Sequence, residues 1–173
     1  MDRTIIDWLD SSENMYGRNI YLKDREGSIS FEEHNQLAKA IGSFVAGKCN
    51  KGDAVIVLSG RHRYTPSCFH GVARAGCVYV PLDSSMPAKR LNQIIKIVDS
   101  KLLIVDDDSL DLLKSLEYAG EVVHYENICK TAAATIKLAT FEKYLPLKPF
   151  NANPAIKGSV TNATNPMHPP TCP

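Results

Sequence analysis

Residues 72–91 read VARAGCVYVPLDSSMPAKRL. An apolar helix end stops at Gly76, because glycine takes the left-handed conformation that closes helices without steric cost. Cys77, Val78, Tyr79 and Val80 then form a short run rich in β-branched and aromatic side chains, predicted as a buried strand. Pro81-Leu82-Asp83 leads out of it, and Pro87 opens the next helix, where its missing N–H has no helical partner to lose. Helix end, strand and new helix joined by short turns define a βα repeat.

The same unit recurs on both sides. Upstream, Ser30-Phe31-Glu32-Glu33 has the spacing of a capping box, and Leu37, Ala38, Ile41, Phe44 and Val45 follow at helical intervals up to Gly47. Lys51-Gly52-Asp53 is a turn, and AVIVL (54–58) is a continuous apolar run, as expected for a strand covered on both faces. Thr65 is predicted as an N-cap with Pro66 at the first helical position. Downstream of the opening stretch, Leu91, Ile94, Ile95 and Val98 give one apolar helix face, and KLLIV (101–105) reads as a further strand. A helix over residues 109–119 and a last short strand from Val122 complete the series. Ahead of it lie an N-terminal helix (Ile5, Ile6, Leu9, with Trp8 as a packing residue) and a hairpin, in which 20–22 and 28–30 flank Asp24-Arg25-Glu26-Gly27.

Strand starts near residues 54, 78, 102 and 121 recur at the interval of βα units. The expected fold class is α/β, a mainly parallel sheet with helices on both faces and right-handed crossovers. Residues 1–130 are expected to form this α/β part. Residues 131–173 hold seven of the ten prolines and no sustained period beyond a helical stretch near 130–145. They read as an incomplete or disordered tail.

Composition narrows the function classes. A net charge of +1 gives no global field for nucleic acid or an anionic membrane. No run approaches the roughly 20 apolar residues of a membrane span, and the N-terminus lacks a secretory h-region. Five cysteines, never closer than nine positions, give no CxxC pair, so thiols in a cytoplasmic setting are expected rather than zinc or disulfides.

Five features invite chemistry. Ser59-Gly60-Arg61-His62-Arg63 joins a strand to a helix, where open α/β sheets bind ligands, but a single glycine makes it no phosphate fingerprint. Lys157-Gly158-Ser159-Val160-Thr161 has phosphate-binding residue types in the wrong order. Asp83 leaves a strand at the ligand edge of the sheet, yet with Ser84 it equally fixes a turn. The histidines, including His34, His62, His70, His124 and His168, have no carboxylate or cysteine at useful sequence spacing, and Asp106-Asp107-Asp108 reads as a helix or loop start. No residue is assigned a catalytic, cofactor-binding or metal role, and these residues alone imply an α/β domain without a stated chemistry.

Three blocks carry a family resemblance. ISFEEHNQLAKAIGSFV (29–45) is similar to LTYAELNERANRLARAL, and KGDAVIVLSGRHRYTPSCFHGVARAG (51–76) to KGDRVAVLLPRSPELIVALLAVLKAG. VYVPLDSSMPAKRLNQII (78–95), followed by KLLIVDD, resembles AYVPLDPSYPAERLRYIL and the strand after it. These strings belong to AMP-forming adenylating enzymes, which include acyl-CoA synthetases, peptide-synthetase adenylation domains and D-alanine–carrier-protein ligases. Ser84-Ser85-Met86-Pro87 resembles short variants in the D-alanine subgroup.

The resemblance implies an N-terminal part of an ATP- and Mg²⁺-dependent ligase. Such an enzyme activates a carboxylate, an amino acid such as D-alanine, as an acyl-adenylate. It then passes the acyl group to a thiol, that of a carrier-protein phosphopantetheine or coenzyme A. The family's TSGSTG-type phosphate loop and C-terminal lysine do not occur in the 173 residues. Thr164-Asn165-Pro166-Met167 resembles the lead-in to that loop, so a frameshift or truncation after it is expected, with the fragment inactive alone and binding neither ATP nor Mg²⁺ tightly. The alternative expectation is a non-catalytic interaction or regulatory module on the same half-fold; a third is a small nucleotide binder using the 59–63 turn.

Overall fold

The computed structural model describes residues 4–128. Helix α1 (Ile5–Tyr16) is started by Thr4 and Asp7, which cap each other's free backbone N–H groups. Strands β1 (Ile20–Lys23) and β2 (Ser28–Ser30) pair antiparallel as a hairpin, with Ile20 opposite Ser30 and Lys23 opposite Ser28. Asp24 closes the turn: its backbone N–H reaches Gly27 O at 2.9 Å, and its carboxylate accepts from the N–H groups of Glu26 and Gly27. The expected capping box then launches α2 (Phe31–Ala46), with Glu33 N donating to Ser30 Oγ at 3.2 Å and Ser30 N donating to Glu33 Oε2 at 2.8 Å.

Beyond α2 lie β3 (Ala54–Ser59), α3 (Thr65–Arg74), β4 (Val78–Asp83), α4 (Ala88–Val98), β5 (Leu102–Val105), a 3₁₀ turn at Asp107–Ser109, the one-turn helix α5 (Leu110–Leu113) and β6 (Glu121–His124). The four later strands form one parallel sheet in the order β4-β3-β5-β6, the α/β arrangement the βα spacing implies.

The central strands show why their sequences are apolar without alternation. Val55, Val57, Leu102 and Ile104 face a cluster with Ile41 and Val45 of α2 and Cys68 and Val72 of α3. Ile56, Leu58, Leu103 and Val105 face the other side, against Leu91 and Ile95 of α4. Both faces are therefore dry and covered by helices, as parallel sheets require.

Four local expectations are corrected. Strand β4 is longer than Val78–Val80 and lies at the sheet edge, so Val78 and Tyr79 are exposed rather than buried. Pro81 is tolerated there because an edge strand can lack one donor. Trp8 is 61% exposed and does not pack into the core. Thr65 is the first residue of α3 and Tyr64 its cap; the Thr65 hydroxyl instead donates to Gly60 O at 3.1 Å. The helix expected over 109–119 is reduced to α5. The Pro-rich stretch, Lys157–Thr161 and His168 lie outside the described residues.

Candidate functional site

The C-terminal ends of β3 and β4 open onto a cleft of about 460 Å³. Leu22, Lys23 and Asp24 of the hairpin form one wall. The loop 59–63, Pro66 and Phe69 form another, and Pro81–Asp83 of β4 the third. This is the edge at which open α/β sheets bind ligands. Both candidate features, the 59–63 turn and Asp83, are brought to this one cleft.

Two of the turn's peptide donors are already taken. The N–H of Gly60 donates to Asp106 Oδ2 at 2.6 Å, and the N–H of Arg63 donates to Asp24 Oδ2 at 3.0 Å. The Arg63 guanidinium lies 2.7 Å from Asp24 Oδ1 and over the Tyr64 ring, while His62 Nε2 lies 3.0 Å from Asp108 Oδ2. Two peptide N–H groups that could have cradled an anion are held by carboxylates, and Arg61 is left as the turn's exposed cation. The two carboxylates brace the turn and take up N–H groups of the kind that phosphate binding uses.

Asp83 performs the local job its neighbours suggest. Its Oδ1 accepts from Ser85 N at 2.8 Å, steering the chain from β4 toward α4. Hydrogen bonds from Ser85, together with the Arg61 charge, hold its carboxyl below the usual range.

Asp24, Glu26 and His62 bring one ligand atom each to within 4.8 Å of one another. Arg63 already supplies the cation there, 2.7 Å from Asp24 and 3.4 Å from Glu26. Two of the trio, Asp24 and Glu26, are thus ion-paired to a guanidinium, while His62 Nε2 lies 3.0 Å from Asp108.

Each described histidine finds a partner the sequence spacing hides. His124 Nε2 lies 2.8 Å from Asp107 Oδ1, and His62 shares the same acidic run through Asp106 and Asp108. His34 and His70 bond to each other. Asp106 starts the 3₁₀ turn as the acidic run suggests, and what the sequence hides is its second partner. At the end of β5 it is 4% exposed and accepts from Gly60 N and from Ser109 N, 46 positions from the former. The signal available was its place directly after an apolar strand.

The AMP-binding enzyme family model matches residues 9–166, most of the chain, and the chain belongs to that family. Nonribosomal peptide synthetase 30 of Fusarium vanettenii is 28% identical over 115 residues, covering 64% of this chain and 2% of that protein. Enterobactin synthase component F of Shigella flexneri is 27% identical over 115 residues, covering 66% of this chain and 8% of that protein. Among solved structures, VinN with 3-methylaspartate superposes with a TM-score of 0.74 at 21% identity, over 85% of this chain and 41% of VinN. The N-terminal subdomain of Klebsiella oxytoca NpsA gives 0.65 at 18% identity, over 76% of this chain and 34% of that one. The α/β fold described above is thus the N-terminal part of the adenylating-enzyme fold. The chain spans less than a tenth of these two curated relatives and less than half of these two solved structures.

Proposed function

We propose that this chain is the N-terminal α/β portion of a cytoplasmic ATP-dependent ligase. The whole enzyme activates an amino acid such as D-alanine as an acyl-adenylate and hands it to the thiol of a phosphopantetheine carrier protein. The observation that carries the reading is the family match over residues 9–166. Likeness to a peptide synthetase and to a synthase component favours an amino-acid substrate and a carrier-protein acceptor. The Ser84-Ser85-Met86-Pro87 variant favours D-alanine. Thiols at Cys49, Cys68 and Cys77 suit a reducing cytoplasm, and no described helix is long and apolar enough to cross a membrane.

The portion is inactive by itself in this reading. Adenylate formation needs preorganised positive charge around the ATP phosphates, from Mg²⁺, a glycine-rich loop and a lysine. Two of the 59–63 turn's peptide N–H groups are committed to Asp24 and Asp106, which supports the reading that this portion does not grip ATP phosphates by itself, and no step is assigned to it. Its role is to brace the cleft floor against which the remaining portion of the fold would close.

The test is amino-acid-dependent pyrophosphate exchange, on the chain alone and on a version extended by the downstream coding sequence read in each frame. The expected result is a blank for the chain and exchange for a version that restores a TSGSTG-type loop, with D-alanine preferred. Exchange by the chain alone overturns its inactivity; a blank from the restored version overturns the adenylation reading.

A further inference from the structure

His34 sits on the first turns of α2 and is fully buried, as is Ser67 on α3. Ser67 Oγ lies 2.8 Å from His34 Nδ1, and His34 Nε2 lies 2.9 Å from His70 Nδ1. The two rings meet edge to face, and Tyr21 of β1 packs on His34 with ring centroids 4.3 Å apart. When both rings are neutral, either of two hydrogen arrangements satisfies the chain: the Ser67 hydroxyl donates to His34 Nδ1 and His34 Nε2–H to His70 Nδ1, or His70 Nδ1–H donates to His34 Nε2 and His34 Nδ1–H to Ser67 Oγ. The family strings that resemble α2 and α3 have leucine at both histidine positions, so the network replaces what would otherwise be an apolar contact.

Among the described residues no carboxylate compensates a proton here. A proton on each ring would place two N–H groups head to head across 2.9 Å. A single proton leaves a buried cation that neither ring can pair with a carboxylate. Among the described residues, the groups facing the pair are Tyr21 from β1 and Ser67 and Arg74 from α3, the last a further positive charge. The nearby acids of α1 are engaged elsewhere: Asp10 with Arg74 and Asn35, Glu13 with Lys39 and Asn35. Burial, then the charges of His70 and Arg74, bring the His34 ring down to about 4, and burial also lowers His70.

We propose that Ser67, His34 and His70 form an acid-sensitive latch, holding the β1–β2 hairpin and the cleft rim it carries onto α2 and α3. The hairpin is the element that depends on it, because Tyr21 rests on His34 and the next residues, Leu22 to Asp24, line the cleft. The sign is set by linkage. A histidine held neutral in the fold but protonated when released stabilises the fold fully above its ordinary pKa of about 6.5. That contribution is lost as pH falls toward the folded value.

The test uses the full chain. Histidine-labelled NMR follows the ring shifts of His34 from neutral pH downward, and hydrogen exchange follows hairpin amides 20–30. His34 is expected to stay neutral below pH 5. From about pH 7 to about pH 5, hairpin opening should become roughly twentyfold more favourable through His34 alone. The H34L/H70L double variant should lose that increment while keeping the hairpin protected at both pH values. His34 titrating near 6.5 with the hairpin still protected overturns the latch, as do parallel pH profiles for the two proteins. Where the double variant fails to fold, the wild-type titration decides alone.

Discussion

The guanidinium of Arg63 and the carboxylate of Asp24 meet at 2.7 Å across 39 positions of sequence, and the same carboxylate accepts the Arg63 backbone N–H at 3.0 Å. One side chain therefore organises its own hairpin turn and clasps that turn to the loop after β3. Backbone donation from Arg63, then from Glu26, with the Arg63 side chain and Gly27 adding to it, holds the Asp24 carboxyl far below the ordinary carboxylate range. A depressed carboxylate contributes stability above its unfolded pKa of about 3.9, and that contribution is lost as pH falls toward the folded value. Asp24→Asn should lower the thermal midpoint at pH 7 by a few degrees and flatten its decline below about pH 4. Melting curves across pH check both. An unchanged midpoint at pH 7 would mean the clasp is a solvent-screened contact of no consequence.

Gly71 marks where α2 and α3 touch. A Cβ there would stand 2.6 Å from Ile41 Cβ and 3.0 Å from Ala38 O, and one on Gly42 would stand 3.0 Å from Gly71 O. Alanine normally improves a helix by about 1 kcal/mol over glycine. Here overpacking opposes it by roughly 1–3 kcal/mol and should win, because Ile41 is fully buried with nowhere to move. Gly71→Ala should thus shift the urea midpoint down. Gly47→Ala, whose Cβ would lie 3.4 Å from its nearest neighbour, should not.

These contacts separate what the sequence makes legible from what it hides. β3 and β5 are readable because strands dry on both faces must be apolar throughout, and α2 because its cap is local. β4 has the same residue types yet lies at the edge; composition does not say which strand has a neighbour on each side. The shortened helix has a different cause. Asn92 of α4 donates to Ser115 O at 3.2 Å and accepts from Glu117 N at 2.8 Å, and Tyr118 Oη donates to Ser100 O at 2.9 Å. The Asn92 side chain thus takes backbone groups that would have continued the helix, while Leu116 and Tyr118 still reach the apolar cluster. The cleft was legible as a location, from the strand ends. Its wiring was not, because Asp24–Arg63, His34–His70 and Gly60–Asp106 join residues 36 to 46 positions apart.

Asp106 gives the sharpest test of that wiring. Its carboxylate accepts from Gly60 N and from both the backbone N–H and hydroxyl of Ser109, itself fully buried. Removing the carboxylate leaves Gly60 N without its partner, at about 1–3 kcal/mol, while Ser109 N and its hydroxyl keep their second acceptors, Asp106 O and Leu58 O. Asp106→Ala should cost roughly 1–3 kcal/mol in urea unfolding and raise exchange at the Gly60 amide. Asp108→Ala removes only an exposed partner of His62 and should stay within about 0.5 kcal/mol of wild type. Equal effects from the two would show that burial of the carboxylate does not set the cost.

Cys77 reports on whether the sheet opens at its edge. It is 7% exposed, sits just before β4, and directs its Sγ to Asn50 O at 3.3 Å. Burial, then the neighbouring Cys49 and Asp53, pushes its thiol up to about 11, so at pH 8 the reactive thiolate is scarce even where reagent can reach it. Cys49, half-buried after α2, has a smaller barrier to access. Alkylation at pH 8 followed by peptide mapping should label Cys49 well before Cys77, and Cys77 labelling should rise with urea in step with global unfolding. An early, urea-independent reaction at Cys77 would mean that β4 leaves the sheet on its own. That outcome would place the weakest joint of the fold at its edge strand rather than in the paired centre of the sheet.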